Sequence, residues 1–353
     1  MPAMNPASLI SESTPFAGLN PECILDAVES CGFRSDGRLL ALNSYENRVW
    51  QIGIDDAPPV IAKFYRPSRW SDAQIDEEHR FVAEMAAAEL PVVAPLAFDG
   101  RTLHHFRRFR FALYPRQGGR APELGDPAVL EWMGRLMARL HLVGAKASFA
   151  VRESLDAETF GHEPYEWLLD NEVIPPDLEP VWAGVAEQAL ECVHDCYRRA
   201  GAVGQLRLHG DCHVGNVLWT PTSKDDHGGP HFVDFDDART GPAVQDLWMF
   251  LSGEADEMAL QLRHVLAGYE TFRNFDRREL HLIEALRTLR LLHHSAWLAR
   301  RWNDPAFPAT FPWFDTPRYW QDRILELREQ IARMEESALP QMQGLALVAT
   351  RRF

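Results

Sequence analysis

The sequence predicts an α+β chain in two lobes, with a β-rich N-terminal part that carries one main helix and a mostly helical C-terminal part. Short runs of β-type residues fill the first third of the 353 residues, whereas apolar residues recur at helical spacing through most of the remainder. The pair Gly118-Gly119 marks a flexible joint between the two patterns. We therefore expect a flexible N-terminus at residues 1–20, an N-lobe at 21–115 and a helical C-lobe at 116–353.

The N-lobe elements follow from residue type and capping. A short helix is predicted at 21–31, and a longer one at 71–90 because Ser71 can cap it and acidic Asp72 lies in its first turn. Runs rich in β-branched and aromatic residues predict the strands. These runs are residues 39–43, 48–54, 60–65, 92–98 and 109–114.

The C-lobe elements are mainly helices. Apolar residues on one face predict helices at 127–142 and 179–199, and again from residue 244 onward. A β-rich patch at 206–235 interrupts them. The Trp- and Pro-rich segment 302–320 breaks the helical pattern near the end, and we expect it to pack on the C-lobe.

Charge and composition exclude several classes of function. The formal net charge of −15 repels a phosphate backbone, so we expect no nucleic-acid partner. No run of apolar residues is long enough to span a membrane. The N-terminal residues show neither a basic start nor a long apolar run, and the five cysteines match no zinc-ligand spacing. We therefore expect a reduced, cytoplasmic protein.

The strongest chemical motif lies in the β-rich patch of the C-lobe. It reads Leu208-His209-Gly210-Asp211-Cys212-His213-Val214-Gly215-Asn216, and a later apolar strand ends in Asp234-Phe235-Asp236-Asp237. Phosphoryl transfer from ATP needs a carboxylate near the acceptor hydroxyl and oxygen ligands for Mg²⁺. Asp211 can supply the carboxylate, and Asn216 with Asp234 can supply the Mg²⁺ ligands. The combination favours phosphoryl transfer over a solvated hairpin.

The same region leaves a second metal chemistry open. His209, Asp211, His213 and Asp234 could bind zinc or a pair of metal ions, as in metal-dependent hydrolases. An amide side chain followed by a strand-end aspartate fits magnesium and phosphates better than zinc.

A lysine lies within an apolar strand of the N-lobe. Lys63 is one of three lysines among 36 basic residues, so arginine supplies nearly all other positive charge. An unpaired ammonium there would be costly, and a triphosphate together with a carboxylate would satisfy it better than a strand-edge position in water. On the following helix Glu78 shares a face with Ile75 and Val82, so it should point inward, whereas Glu77 should face solvent.

A polar loop lies between the first two predicted strands of the N-lobe. Residues 43–48 read Asn-Ser-Tyr-Glu-Asn-Arg, and the Ser44 hydroxyl with neighbouring amides could contact phosphate. The loop lacks the G-x-G-x-x-G pattern, so by chemistry alone it is equally a polar turn.

Together these residues resemble the stress response kinase A family of bacterial Ser/Thr protein kinases. That family lies in the aminoglycoside phosphotransferase and choline kinase-like branch of the protein-kinase fold. The resemblance covers about residues 20 to 330. The matching strings are LNSYENRV at 42–49, KFYRP at 63–67, RLHGDCH at 207–213, VDFDDAR at 233–239, QDLWM at 245–249 and RRWNDPAFP at 300–308.

The resemblance implies roles for the catalytic-loop residues. Asp211 would be the catalytic base, with Asp234 as a second catalytic residue. Asn216 and Asp234 would bind Mg²⁺. Asp246 would lie on a C-lobe helix and brace the loop through its backbone amides.

It also implies the nucleotide-binding residues. Lys63 would contact the ATP phosphates and pair with Glu78, and Ser44 would lie in the phosphate-covering loop. The chain departs from ordinary protein kinases in its lack of a glycine-rich loop, of an Ala-Pro-Glu string and of Phe-Gly after Asp234.

The predicted function is therefore an ATP- and Mg²⁺-dependent Ser/Thr protein kinase in a stress response. We expect it to be a monomer that acts on protein substrates, with autophosphorylation among its reactions. One alternative is a small-molecule kinase of the aminoglycoside, choline or homoserine type, because Glu254, Asp256 and Glu257 could attract a cationic substrate or merely form a solvated face. A second alternative is a pseudokinase-like binding module.

Overall fold

The computed structural model describes residues 15–220 and 228–336. The chain divides into two compact units. The first unit takes residues up to Arg120 together with Leu218–Asp236 and Arg301–Phe311, and the second unit takes the remainder. Most of the predicted flexible N-terminus lies outside the described residues. Phe16 and Leu19, at its end, pack against the core of the first unit.

A five-stranded antiparallel sheet forms the body of the first unit, in the order β1-β2-β3-β5-β4. The strands are β1 Ser35–Leu42, β2 Arg48–Ile54, β3 Ala57–Phe64, β4 His104–Phe106 and β5 Phe109–Pro115. Alternating apolar residues of β2, β3 and β5 form its core with helix α1, Pro21–Glu29.

One predicted strand of the N-lobe is wrong. Residues 92–98 form only isolated bridges, from Val92 to Phe232 and from Phe98 to Arg101. Pro91 and Pro95 flank and interrupt this segment, and proline lacks the amide hydrogen that a continuous ladder requires. The edge strand β4, which follows it, was not predicted.

Helix α2, Asp72–Ala87, confirms the predicted cap. The Ser71 hydroxyl accepts a hydrogen bond from the Gln74 backbone amide, and the Gln74 side-chain oxygen accepts one from the Ser71 backbone amide. Glu78 is buried as expected, but Glu77 is buried too, so its predicted exposure is wrong. The buried face of α2 is wider than one helical stripe, because it includes the consecutive residues Glu77, Glu78 and His79.

The second unit is mostly helical. Its core includes Trp182 and Trp320, whose rings meet edge to face at 5.9 Å. Its helices are α3 Pro127–Gly144, α4 Glu163–Asp170, α5 Glu179–Ala200, α6 Val244–Trp248, α7 Ala255–Tyr269, α8 Ile283–Arg300 and α10 Pro317–Glu335. No helix among the described residues has both the length and the apolar content needed to cross a bilayer.

The predicted β-rich patch consists of short strands that pair in two separate ladders. β6 Leu206–Leu208 pairs with β9 Arg239–Gly241, and β7 Val217–Thr220 pairs with β8 Gly229–Phe232.

The Trp- and Pro-rich segment divides between the two units. Residues Arg301–Phe311, with the short helix α9 Ala306–Thr310, belong to the first unit, and only the chain from Pro312 belongs to the second. The prediction that all of 302–320 packs on the C-lobe is therefore wrong. Ion pairs of Arg301 and Asp304 with residues near the sheet account for the difference.

Candidate functional site

In the second unit, the loop predicted to carry the base, here called the catalytic loop, comprises residues 209–216, directly after β6. Gly210 adopts φ +85°, in the left-handed region, and a Cβ there would collide with the carbonyl oxygen of Asp237. Only glycine fits both conditions, so the turn places Asp211 at a fixed point after the strand.

A buried aspartate anchors this loop. Asp246, on α6, accepts hydrogen bonds from the backbone amides of His209 and Gly210, each at 2.9 Å. Gln245 donates to the Gly210 carbonyl oxygen at 2.9 Å. These contacts confirm that Asp246 braces the loop through its backbone amides, as the resemblance implies. Together with Gln245 they satisfy both the amide donors and the carbonyl acceptor of the turn.

The charge state of this anchor follows from its surroundings. Burial disfavours the Asp246 carboxylate, but the hydrogen bonds that it accepts, foremost the one from His141, outweigh this effect and hold its pKa below the ordinary value. Burial lowers the pKa of His141, so its ring is neutral near pH 7. Its Nε2–H then donates to Asp246 at 3.2 Å, and its Nδ1 accepts from the Tyr269 hydroxyl at 2.9 Å.

The carboxylate of Asp211 has two cationic or potentially cationic neighbours. Its Oδ1 lies 2.6 Å from Nη1 of Arg290 on α8, and its Oδ2 lies 3.5 Å from Nε2 of His213. The Asp211 side chain is 23% exposed, so the carboxylate remains reachable from solvent. Because Arg290 contacts Oδ1, the other carboxylate oxygen, Oδ2, is not engaged by the arginine.

Asn216 is fixed by the same loop. Its Nδ2 donates to the backbone oxygen of Asp211 at 2.9 Å, which leaves the amide Oδ1 as an acceptor for another group. Amide and carboxylate oxygens are the ligands that Mg²⁺ takes in proteins, so Asn216 and Asp234 fit magnesium chemically. Within residues 15–220 and 228–336, no cluster of three His, Cys, Asp or Glu side chains is suited to a metal ion.

In the first unit, Lys63 on β3 lies among carboxylates. Its Nζ is 2.8 Å from Oδ1 of Asp234 and 3.0 Å from Oδ1 of Asp236. Burial opposes the ammonium charge, but the two aspartates outweigh it and hold the pKa of Lys63 well above its ordinary value. The carboxylate of Glu78 raises this pKa by a smaller amount. Lys63 therefore forms ion pairs with Asp234 and Asp236, and its pairing with Glu78, which the resemblance implies, stays a prediction.

Asp234 follows β8 in a strained conformation. Its φ is +60°, which a residue with a Cβ adopts only at a cost on the order of 1 kcal/mol. Its side chain is 53% exposed although it contacts buried Lys63. The turn therefore presents a carboxylate to solvent from the end of an otherwise buried strand.

Ser44 lies in the polar loop that precedes β2. Its hydroxyl donates to the Asn47 carbonyl oxygen at 3.2 Å, so it stabilises the loop's own turn. The structure thus places Lys63, Asp234 and Ser44 in the first unit, and Asp211 and Asn216 in the second.

Sequence reasoning missed two residues. Asp236 is 3% exposed and contacts Lys63, Arg69 and Asn47. The sequence motif that contains it predicted no role for this residue. Its position two residues after Asp234 was the available signal. Arg290 had none, because it is one of several arginines on a helix far from the motif in sequence.

Comparison with known proteins identifies relatives along nearly the whole chain. The profile of the phosphotransferase enzyme family (APH) matches residues 38–283. Stress response kinase A of Salmonella choleraesuis is 43% identical over 324 residues, which cover 92% of this chain and 96% of that protein. The Escherichia coli K12 protein of the same name is 42% identical with the same coverage. A Salmonella typhimurium relative, "Serine/threonine protein kinase RdoA", is 43% identical, also with that coverage.

Solved structures show the same fold at low identity. Amicoumacin kinase hAmiN, in complex with AMP-PNP, Ca²⁺ and Ami, superposes with a TM-score of 0.68 at 16% identity, covering 90% of this chain and 95% of that one. A microcompartment-associated aminopropanol kinase gives 0.69 at 16%, with 90% and 100% covered. These likenesses confirm the predicted α+β, protein-kinase-like fold, with its sheet in the N-terminal region and its helices in the C-terminal region.

Proposed function

Because the chain belongs to the stress response kinase A family, within the phosphotransferase enzyme family, we propose that this kinase transfers the terminal phosphoryl group of ATP to Ser or Thr of protein substrates. Autophosphorylation is one of its reactions, and it acts in a stress response. The observation that carries the proposal is the 42–43% identity to the stress response kinases, one of which is named a Ser/Thr protein kinase.

The proposed nucleotide-binding residues belong to the first unit. Lys63 provides a buried ammonium for phosphate oxygens, with Glu78 contributing to its charge balance. Ser44 and the backbone of its loop contact phosphate. Asn216 and Asp234 would hold Mg²⁺ through their amide and carboxylate oxygens. Bound Mg²⁺ would neutralise phosphate charge and orient the terminal phosphoryl group.

Asp211 acts as the base in this proposal. It accepts the proton of the acceptor hydroxyl as that oxygen bonds to the terminal phosphorus and the bond to the ADP oxygen breaks. Since Arg290 occupies Oδ1, the proton goes to Oδ2. The anchoring of the loop by Asp246 keeps this oxygen in place without reorganisation.

The acidic residues that favoured a small cationic substrate have a local explanation. Glu254 is the N-cap of α7, and its backbone amide donates a hydrogen bond to the Glu257 carboxylate in a capping box. Carboxylates in the first turn also stabilise the helix dipole. They therefore give the small-molecule alternative no specific support. We further propose a cytoplasmic monomer whose partners are proteins and not nucleic acids.

Incubation with γ-labelled ATP and Mg²⁺, alone and with a cell extract, tests the function. We expect label on the protein itself and on extract proteins, with transfer reduced by about 10²–10⁴-fold in Asp211→Ala because the base is lost. Binding of AMP-PNP to the variant, measured by calorimetry, controls for folding. Label only in small molecules would favour the small-molecule kinase. Nucleotide binding without any transfer would favour the binding module.

A further inference from the structure

The 43–48 loop has no glycine, and its shape is set by side chains. We propose that Arg301–Phe311, here called the brace, holds the 43–48 loop and Lys63 in the arrangement that binds nucleotide phosphates. The brace is thus a positioning element, contributed by residues more than 250 positions away in sequence. This inference rests on the proposed function, since it assigns the loop to ATP phosphates.

Glu46, within the loop, is the first point of attachment. Its Oε2 lies 2.6 Å from Nε of Arg301 in the brace, and its Oε1 lies 2.9 Å from Nε of Arg66. Glu46 is 9% exposed. A buried carboxylate is stable only with such partners, so the loop cannot move away from the brace without exposing or stranding a charge.

Asp304, within the brace, is the second point of attachment. Its Oδ2 accepts from Nη2 of Arg66 at 2.5 Å and from Nη2 of Arg48 at 3.3 Å. Its Oδ1 accepts from the backbone amide of Ala306, which fixes the start of α9. The Asp304 carboxylate therefore connects the start of α9 in the brace to Arg48 at the end of the loop and to Arg66, which also pairs with Glu46.

Aromatic packing adds a third contact. Tyr45, at the tip of the loop, meets the Phe311 ring edge to face, with centroids 5.1 Å apart. Phe307 is fully buried, and the Arg66 guanidinium lies 5.3 Å from its ring centroid. These contacts position the brace by shape as well as by charge.

A chain of hydrogen bonds connects this attachment to Lys63. Asn47 accepts from the backbone amide of Arg66 at 3.0 Å and donates to Asp236 at 2.9 Å. Asp236 in turn lies 3.0 Å from Nζ of Lys63 and 2.5 Å from Nη1 of Arg69. A displacement of the loop would therefore also change the surroundings of the lysine proposed to bind phosphate.

Two adjacent arginines offer a matched test. Arg301 pairs with Glu46 of the loop, whereas Arg300 pairs with Glu163 of the second unit at 2.6 Å. The test compares three variants: Arg301→Met, Arg301→Lys, which keeps the charge, and Arg300→Met as the matched control. The measurements are hydrogen exchange at the 43–48 amides, AMP-PNP affinity by calorimetry, and steady-state kinetics of transfer to an extract protein.

We expect Arg301→Met to increase exchange at 43–48, to weaken AMP-PNP binding about 10-fold and to raise the KM for ATP more than it lowers kcat. Arg301→Lys should restore part of the affinity, because it keeps the charge. Arg300→Met should match the wild type in exchange at 43–48 and in nucleotide affinity. A purely structural role would lower the melting temperature but leave nucleotide affinity unchanged in the folded variant.

Two results would overturn the proposal. One is unchanged exchange at 43–48 in Arg301→Met. The other is faster exchange there with unaltered AMP-PNP affinity, which would make the brace a stabilising contact without a role in nucleotide binding. If the wild type bound no AMP-PNP, the proposed function would fail and the positioning role with it. Hydrogen exchange would then still show separately whether the brace orders the loop.

Discussion

The catalytic loop, residues 209–216, and the 43–48 loop are held rigid in different ways. Two backbone amides of the catalytic loop donate to the fully buried Asp246, whose own partner is a neutral histidine. The 43–48 loop makes its outside contacts chiefly through side-chain charges, above all those of Glu46 and Arg48.

The difference shows what each solution requires of the sequence. Anchoring through backbone amides requires a tight turn, and Gly210 is needed in that turn because a Cβ there would collide with the Asp237 carbonyl oxygen. Anchoring through side chains permits the larger residues of Asn-Ser-Tyr-Glu-Asn-Arg, but it requires oppositely charged partners from elsewhere in the chain. A glycine-free loop can therefore still be ordered when a brace supplies those partners.

Removal of the backbone anchor should have the largest effect. Asp246→Ala leaves the His209 and Gly210 amides and His141 without their buried acceptor, and we expect a loss of about 3–5 kcal/mol in the free energy of unfolding of the second unit. Urea unfolding would measure it. Asp322→Ala is a control, since its exposed pair with Arg318 should contribute less than about 1 kcal/mol. Equal effects of the two substitutions would contradict the anchoring role.

A buried glutamate that contacts the start of α6, the helix that carries Asp246, should make stability depend on pH. Glu279 accepts from the Val244 amide at the start of α6, and burial raises its pKa to about 7 from an ordinary 4.5. The folded state then binds this proton more tightly than the unfolded state, so stability falls as the pH rises from 4.5 to 7. The fall should reach about 3 kcal/mol at most.

Glu279→Gln isolates this effect, because glutamine cannot ionise and its amide oxygen can still accept from Val244. We expect the variant to show a flatter dependence of melting temperature on pH between 4.5 and 7 than the wild type. Identical profiles would show that Glu279 does not titrate in this window.

Weakening of the side-chain anchor should cost less. Asp236→Asn keeps the shape but removes the charge that Lys63 and Arg69 share, and we expect about 1–3 kcal/mol of destabilisation in the first unit. Asp55→Asn, which breaks an exposed pair with Arg34, is the matched control and should cost less than about 1 kcal/mol. If Asp236→Asn matched Asp55→Asn, the charge network would contribute no more than a surface ion pair.

The sequence by itself determined the local features of the site. The string around Asp211, the strand-end Asp234 and the lysine in an apolar strand can be recognised in the sequence. Each stands out against its immediate neighbours in the chain, so no tertiary contact is needed to find it. The cap at Ser71 follows from its residue type, and the inward position of Glu78 follows from helical periodicity. The roles of Ser44, Lys63, Glu78, Asp211, Asn216 and Asp234 stay predictions, which the experiments above address.

The tertiary structure alone decided which distant residues meet. The pairing of Arg290 with Asp211, of Asp236 with Lys63, and of Arg301 with Glu46 joins residues with no shared local pattern. Local sequence specifies which groups are present and how the chain turns, whereas the contacts that neutralise buried charges depend on packing across the whole unit.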